Sequence, residues 1–265
     1  MAGAREAGVT VVTGASRGLG AVMARALAGA GARVALVART GADLDAVRRE
    51  IEADGGTARS FRSDVASADE VESLARSVDA ELGPPDVLVN AAGVFGPLRL
   101  VVDGDPRLWV ETVMVNLVGP YLTCRAFVPG MVARGFGRVV NVSSAGALYP
   151  PGKLDSAYVT SKVALNQLTR HLAAELQGTG VTVNAIHPGD VVTDMYRSIR
   201  DAAALLGPEG EEYREWARLL EETGGDPPRK AADLVLRLVS EEAGSINGRF
   251  VWIDDPVQPP IPSWD

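Results

Sequence analysis

The stretch from Val9 to Gly31 restricts the fold of this chain more than any other part of it. It opens with a β-branched apolar run, Val9 to Thr13, that reads as a short buried strand. A turn follows, Thr13-Gly14-Ala15-Ser16-Arg17-Gly18-Leu19-Gly20, and then an alanine-rich helical segment from Ala21 to Ala30, closed by Gly31. A helix that begins where a strand ends presents free N–H groups and a positive dipole end, which suit a pyrophosphate. Gly14 permits the tight turn, Gly18 lets a phosphate approach the backbone, and Gly20 lets the helix lie close to the sheet. The spacing is G-x-x-x-G-x-G, not the G-x-G-x-x-G of the usual dinucleotide turn.

A second strand is expected at Arg33 to Ala38. In dinucleotide folds an acid at the end of this strand holds the adenosine ribose of NAD, and a nearby Arg accommodates the extra phosphate of NADP. Here Ala38 is followed by Arg39, and Arg17 stands in the glycine turn. Two guanidiniums without a carboxylate favour NADP over NAD. Strands and helices alternate to the end of the chain, which argues a parallel sheet covered on both faces. The 265 residues, 46% of them apolar, suffice for one core. Residues 1–255 read as one domain, with an insertion at about 194–225 and a proline-rich tail at 256–265.

Tyr158 and Lys162 lie four residues apart on a helical run that continues to Leu176. Residues at that spacing share a helix face. A neighbouring ammonium favours phenolate and is expected to lower the tyrosine pKa from its ordinary value near ~10. Such a pair suits proton exchange with a carbonyl or alcohol oxygen.

With these motifs in place, the chain resembles the short-chain dehydrogenase/reductase family over nearly its whole length. The glycine turn matches the family's T-G-x-x-x-G-x-G, and Tyr158 and Lys162 match its Y-x-x-x-K. The resemblance implies a doubly wound, Rossmann-type α/β fold: a central parallel sheet between two layers of helices. It implies cofactor contacts at Gly14, Ser16, Arg17, Gly18, Leu19, Gly20 and Arg39. It adds Asp64 and Val65 after a strand at Arg59 to Ser63, and Asn90, Ala91 and Gly93 after a strand at Val87 to Val89. Pro188, Gly189, Val191 and Thr193 match the segment that holds the nicotinamide, and Tyr158 and Lys162 also touch the cofactor. Asn116, Ser144, Tyr158 and Lys162 match the catalytic set. In that set Tyr158 exchanges the proton, Lys162 lowers its pKa and holds the ribose, Ser144 binds the substrate oxygen, and Asn116 holds a water leading to Lys162. Ser143 and Ser144 are neighbours on a strand, so only one faces the site, and Ser144 occupies the family position. The implied activity is NADP(H)-dependent interconversion of a ketone or aldehyde and an alcohol, as a ketoreductase. The rivals are an NAD-dependent alcohol dehydrogenase and a cofactor-binding regulatory protein without catalysis.

The remaining features narrow the partners. The net charge of −8 opposes nucleic acid and anionic membranes. No apolar run approaches a membrane span, and the N-terminus lacks the apolar stretch of a signal peptide. Cys124, the sole cysteine, reads as buried packing and fits a reducing cytoplasm. His171 reads as a helix-surface residue, and His187, beside Pro188, as a minor shaper of the pocket. No metal cluster forms from these residues. Asp190 stands where the family carries an apolar residue, either to meet a polar substrate group or as a solvated turn. Leu148, Met195 and Tyr196 are candidates to line the substrate pocket. Arg197 and Arg200 either meet an acidic substrate or pair with Glu209, Glu211 and Glu212. The segment Gly244 to Asp255 resembles the family's last strand. Family members assemble as homotetramers or homodimers through the helices around Trp109 to Arg134 and Tyr158 to Leu176. Ile261 and Trp264 in the tail are candidates to dock on a neighbouring subunit.

Overall fold

The computed structural model describes residues 8–254. Seven parallel strands form one sheet in the order β3-β2-β1-β4-β5-β6-β7. They are β1 (Val9–Thr13), β2 (Arg33–Ala38), β3 (Thr57–Arg62), β4 (Pro85–Asn90), β5 (Gly137–Val142), β6 (Val181–His187) and β7 (Phe250–Trp252). The helices between them are α1 (Gly18–Gly29), α2 (Gly41–Ala53), α3 (Ala68–Leu82), α4 (Pro106–Val113), α5 (Gly119–Arg134), α6 (Ser156–Glu175), α7 (Asp194–Ala204), α8 (Glu211–Thr223) and α9 (Pro228–Val239). This is the expected doubly wound α/β fold.

Strand periodicity divides the core. Successive strand side chains point to opposite faces. Val12, Val34, Leu36, Val89, Val140 and Ile186 therefore meet α1, α2 and α9 on one face. Val11, Ala35, Val37, Leu88, Val139 and Val183 meet α3, α5 and α6 on the other. The central strands are covered on both sides, so β1 and β6 are buried at every position, their threonines, Asn184 and His187 included. Helix α1 presents Ala21, Ala24 and Ala28 inward, and these small side chains let it lie close to β1 and α9.

Some boundaries differ from expectation. Helix α1 starts inside the glycine turn, at Gly18 rather than Ala21. β3 begins at Thr57 rather than Arg59, because its pairing with β2 starts at Arg33 opposite Thr57. β4 runs from Pro85 to Asn90, with the proline at its first position, where a missing donor is tolerated. The expected last strand is short: Glu242–Ser245 is a 3₁₀ turn, and only Phe250–Trp252 pairs with β6. Between α4 and α5 the chain takes a π-helical turn, Met114–Val118.

The segment after Thr193 forms α7 and α8, with small apolar clusters of their own. Leu98, Leu154, Ile199 and Ala203 make one, and Tyr196, Ala217 and Leu220 the other. The proline-rich tail, with Ile261 and Trp264, lies outside the described residues. Among the described residues no helix is long and apolar enough to cross a membrane.

Candidate active site

The strand order reverses direction between β1 and β4, and the crevice at the carboxyl ends of these strands is where ligands bind in such sheets. Thr13 ends β1, and its Oγ1 accepts the N–H groups of Ala91 and Ala92, both at 3.1 Å. The loop after β4 is thereby held against the glycine turn. A Cβ on Gly14, whose φ is +67°, would come 2.7 Å from Ala92 Cα. A Cβ on Gly20 would collide with the Gly14 carbonyl oxygen. These two positions admit only glycine.

Over Gly18 the space is open. A Cβ there would meet nothing nearer than Thr193 Cγ2, at 3.9 Å. No side chain caps the N-terminus of α1, so its terminal N–H groups are left for a ligand. An uncapped helix start under an open glycine fits a pyrophosphate. The facing wall comes from Thr193, whose hydroxyl accepts the Tyr196 N–H at 3.4 Å and caps α7. Leu19 packs its side chain against the core, so it offers only backbone to the crevice. Val65 is buried, and its methyl would lie 2.9 Å from a Cβ on Gly119. Asp64 ends the β3 turn, accepting the Ala66 N–H at 3.0 Å.

Asn90 departs from the role expected of it. Its Nδ2 donates to Asn141 Oδ1 at 2.9 Å, and its Oδ1 accepts from Thr123 Oγ1 at 2.7 Å. The side chain thus ties β4 to β5 and α5, and the crevice meets backbone at Ala91 to Gly93 instead. Gly93 itself lies between two expected catalytic residues. A Cβ on it would be 3.4 Å from Asn116 Oδ1 and 3.7 Å from Lys162 Nζ.

Asn116 sits in the π-helical turn, a local widening that recurs at functional sites. Its side chain accepts the Val94 N–H at 2.9 Å and donates to the Val94 carbonyl at 2.8 Å and to Ser161 Oγ at 3.0 Å. Those atoms hold the loop after β4.

Tyr158 and Lys162 share one face of α6, as their spacing requires, with Nζ 5.6 Å from the ring centroid. Lys162 is buried and donates to the Val142 carbonyl at 2.8 Å. Burial pushes its pKa down to about 8. Burial also pushes the Tyr158 phenol up to about 12; the Ser144 hydroxyl bond opposes that rise, while the charges of Asp190 and Asp155 add to it. Burial thus opposes the effect expected of the lysine, whose ammonium is turned toward the Val142 carbonyl. Ser144 is the serine that meets Tyr158. Ser143 is buried with its hydroxyl unpaired, and its N–H donates to Ile186.

His187, at the end of β6, does more than shape the pocket. Its Nδ1 accepts the Ala145 N–H at 3.1 Å and so holds the turn that follows Ser144. Its ring meets Trp252 edge-on, 4.7 Å between centroids. Burial lowers its pKa, against the pull of Asp190, Asp226 and Asp254. Pro188 is buried, and Gly189 follows at φ +83°, where a Cβ would press within 2.5 Å of Ile253 Cδ1. Val191 is buried beyond them. Asp190 is exposed, with its N–H on Asp226 Oδ2 at 3.0 Å, which fits the solvated turn.

Tyr196 does not line the pocket. It is buried in the helical pair, donating to the Ala217 carbonyl at 2.9 Å. Met195 packs, partly buried, beside Ile199, and Leu148 is half-buried in the turn after Ser144. The arginines pair nearer home than expected: Arg197 with Asp194, and Arg200 with Asp201 and Glu221. Sequence reasoning passed over Arg62, whose Nε donates to the Arg39 carbonyl at 3.1 Å. It also passed over Phe95, which stacks on Tyr158 at 4.6 Å. Arg62 had a readable signal, as a cation two residues before Asp64; Phe95, in a loop, had none.

The model of the short chain dehydrogenase family matches residues 8–204. The chain belongs to the short-chain dehydrogenase/reductase family. A short chain dehydrogenase of Pseudocercospora fijiensis is 41% identical over 189 residues, 70% of this chain and 60% of its own length. Galactitol 2-dehydrogenase (L-tagatose-forming) of Cereibacter sphaeroides is 35% identical over 92% of both chains. Among solved structures, a single-residue variant of actinorhodin polyketide ketoreductase with NADPH superposes with a TM-score of 0.85 at 30% identity, covering 94% of this chain and 96% of that one. As a family member this chain is an oxidoreductase of CH–OH and C=O groups that uses a nicotinamide cofactor, and the open glycine turn fits that cofactor.

Proposed function

We propose that this enzyme is an NADP(H)-dependent ketoreductase. The observation that carries the reading is the pairing of Tyr158 with buried Lys162 on one face of α6, with Ser144 acting on the Tyr158 phenol and Lys162 Nζ beside Gly93. The cofactor supplies or accepts the hydride. Tyr158 is the proton donor to the carbonyl oxygen in reduction. A phenol, whose ordinary pKa is near ~10, is protonated at neutral pH and so carries the proton that reduction needs. Ser144 holds the same oxygen as charge develops on it. Lys162 holds the cofactor ribose, and Asn116 fixes the loop that carries Gly93. Asp64, Val65, Pro188, Gly189, Val191 and Thr193 complete the walls.

The cofactor preference rests on Arg17 and Arg39, both exposed, and on Arg62 beside them. Among the described residues Arg39 pairs with Glu111, at 3.9 Å, so its guanidinium is loosely held and available to a phosphate. Binding of NADPH and NADH to the purified protein, then turnover of ketones with the tighter one, tests the reading. Tighter NADH binding would move the assignment to an NAD-dependent alcohol dehydrogenase.

The described residues, 8–254, act as one domain, in which α7 and α8 cover the substrate. The enzyme works in the cytoplasm as a homodimer or homotetramer. Leu108, Val110, Tyr121 and Val163 on α4, α5 and α6 are 47–53% exposed, an apolar display that suits a subunit interface. A monomer in sedimentation equilibrium would remove this assembly.

A further inference from the structure

One face of the Tyr158 ring is covered by aromatic rings. Phe95, two residues past Gly93, lies face-on to the Tyr158 ring with centroids 4.6 Å apart and planes at 27°. Tyr213, in the first turn of α8, meets Phe95 edge-on at 6.0 Å and 81°. Its phenol faces the carboxylate of Asp155, the residue that precedes α6. Phe95 and Tyr213 pack, half-buried, against Leu98, Leu154, Ile199 and Ala203. The rings are thus held from three directions: by α6, by the loop after β4 and by α8.

We propose that Phe95 and Tyr213 form a specificity wall that selects ketones carrying a flat aromatic group beside the reacting carbon over polyhydroxylated ketones. The proposal rests on Tyr158 being the proton donor, because that places the substrate oxygen at the phenol and the neighbouring group against these rings. Phe95 has no polar side-chain atom, and the Tyr213 hydroxyl faces Asp155. A sugar hydroxyl turned toward the wall would leave water without gaining a partner. An aromatic group gains apolar contact and ring-edge electrostatics there.

The test uses the full chain with NADPH and two probes, 2-acetylnaphthalene and L-tagatose. Turnover gives kcat/KM, and ligand-observed NMR gives the affinity of each probe for the complex with NADP+. The naphthyl ketone is expected to be favoured by about tenfold or more in both readouts. Phe95→Leu keeps an apolar side chain and is expected to erase most of that preference. Tyr213→Phe keeps the ring, loses the hydroxyl that faces Asp155, and is expected to raise KM more than it lowers kcat. NADPH affinity on the same samples shows that each variant is folded. Equal or reversed preference, or a preference that survives Phe95→Leu, overturns the wall and leaves the ketoreductase reading standing. If neither probe turns over and NADPH does not bind, the ketoreductase reading fails. The same NMR affinities, measured on the protein without cofactor, then decide the wall, which stands only if the naphthyl preference is present and disappears in Phe95→Leu.

Discussion

The cofactor crevice and the helical pair α7–α8 are built by different means. The crevice is made of backbone. Its shape comes from glycines that admit no Cβ, from the uncapped start of α1, and from the Thr13 hydroxyl that holds Ala91 and Ala92. The helical pair is made of side chains: Tyr196 on Ala217, Arg214 on the carbonyls of Ala203 and Leu206, and two small apolar clusters. Backbone construction tolerates little change, because an added methyl meets atoms that cannot move. Side-chain construction can be rewritten residue by residue without losing the fold, which suits a region that chooses a substrate.

Tyr158→Phe is the largest test of that division. It should lower turnover about a thousandfold, since it removes the donor and keeps the ring. NADPH affinity should stay within about twofold, because the crevice is otherwise intact. A parallel loss of both, measured on one preparation, would mean that the two regions are not separable.

The next test sets one atom group against another. Gly20→Ala adds a methyl against the Gly14 carbonyl oxygen and should destabilise the fold by about 3 kcal/mol. Tyr196→Phe removes one hydroxyl inside the helical pair and should cost about 1 kcal/mol. Urea denaturation of both variants checks the ratio. Equal losses would place the helical pair in the same rigid class as the crevice.

This division also explains what the sequence made legible. Glycines mark backbone geometry directly, so Gly14, Gly18 and Gly20 could be assigned tasks from their spacing. The apolar alternation of the strands gave the sheet. By contrast Tyr196 and Phe95 are aromatic residues whose direction depends on packing between elements far apart in the chain. Tyr196 reads as a pocket residue and turns inward; Phe95 reads as nothing and lies on the Tyr158 ring. The surroundings of the tyrosine turn on a related point. Spacing puts Lys162 beside Tyr158, but burial depth and the Val142 carbonyl decide where the ammonium goes. Asn90 likewise matches its motif, yet its partners Asn141 and Thr123 come from two other elements.

Arg39→Asp sharpens the cofactor side further. It replaces an exposed cation with an anion at the edge of β2, and should weaken NADPH by about tenfold while leaving NADH nearly unchanged. The affinity ratio of the two cofactors is the readout. A ratio that does not move would assign the phosphate to Arg17 and Arg62.

His187 lies on the border, and its titration shows which side governs Ser144. Its Nδ1 accepts the Ala145 N–H, so the neutral ring carries its proton on Nε2. Protonation would set one donor against another and loosen the turn after Ser144. Burial holds the folded pKa below the ordinary 6.5. As pH falls below 6.5 the unfolded chain therefore takes up a proton before the folded one does, and stability declines, by at most about 1.4 kcal/mol per pH unit. Asp190, Asp226 and Asp254 face the ring and limit the shift, with Lys230 paired to the last two. His187→Asn keeps an acceptor and removes the titration, so its melting temperature should depend less on pH below 6.5 than that of the parent. Identical acid slopes in the two proteins would transfer the effect to the three carboxylates. A flattened slope together with a flattened acid limb of turnover would make His187 a positioning residue for Ser144, carried by the scaffold but felt at the substrate oxygen.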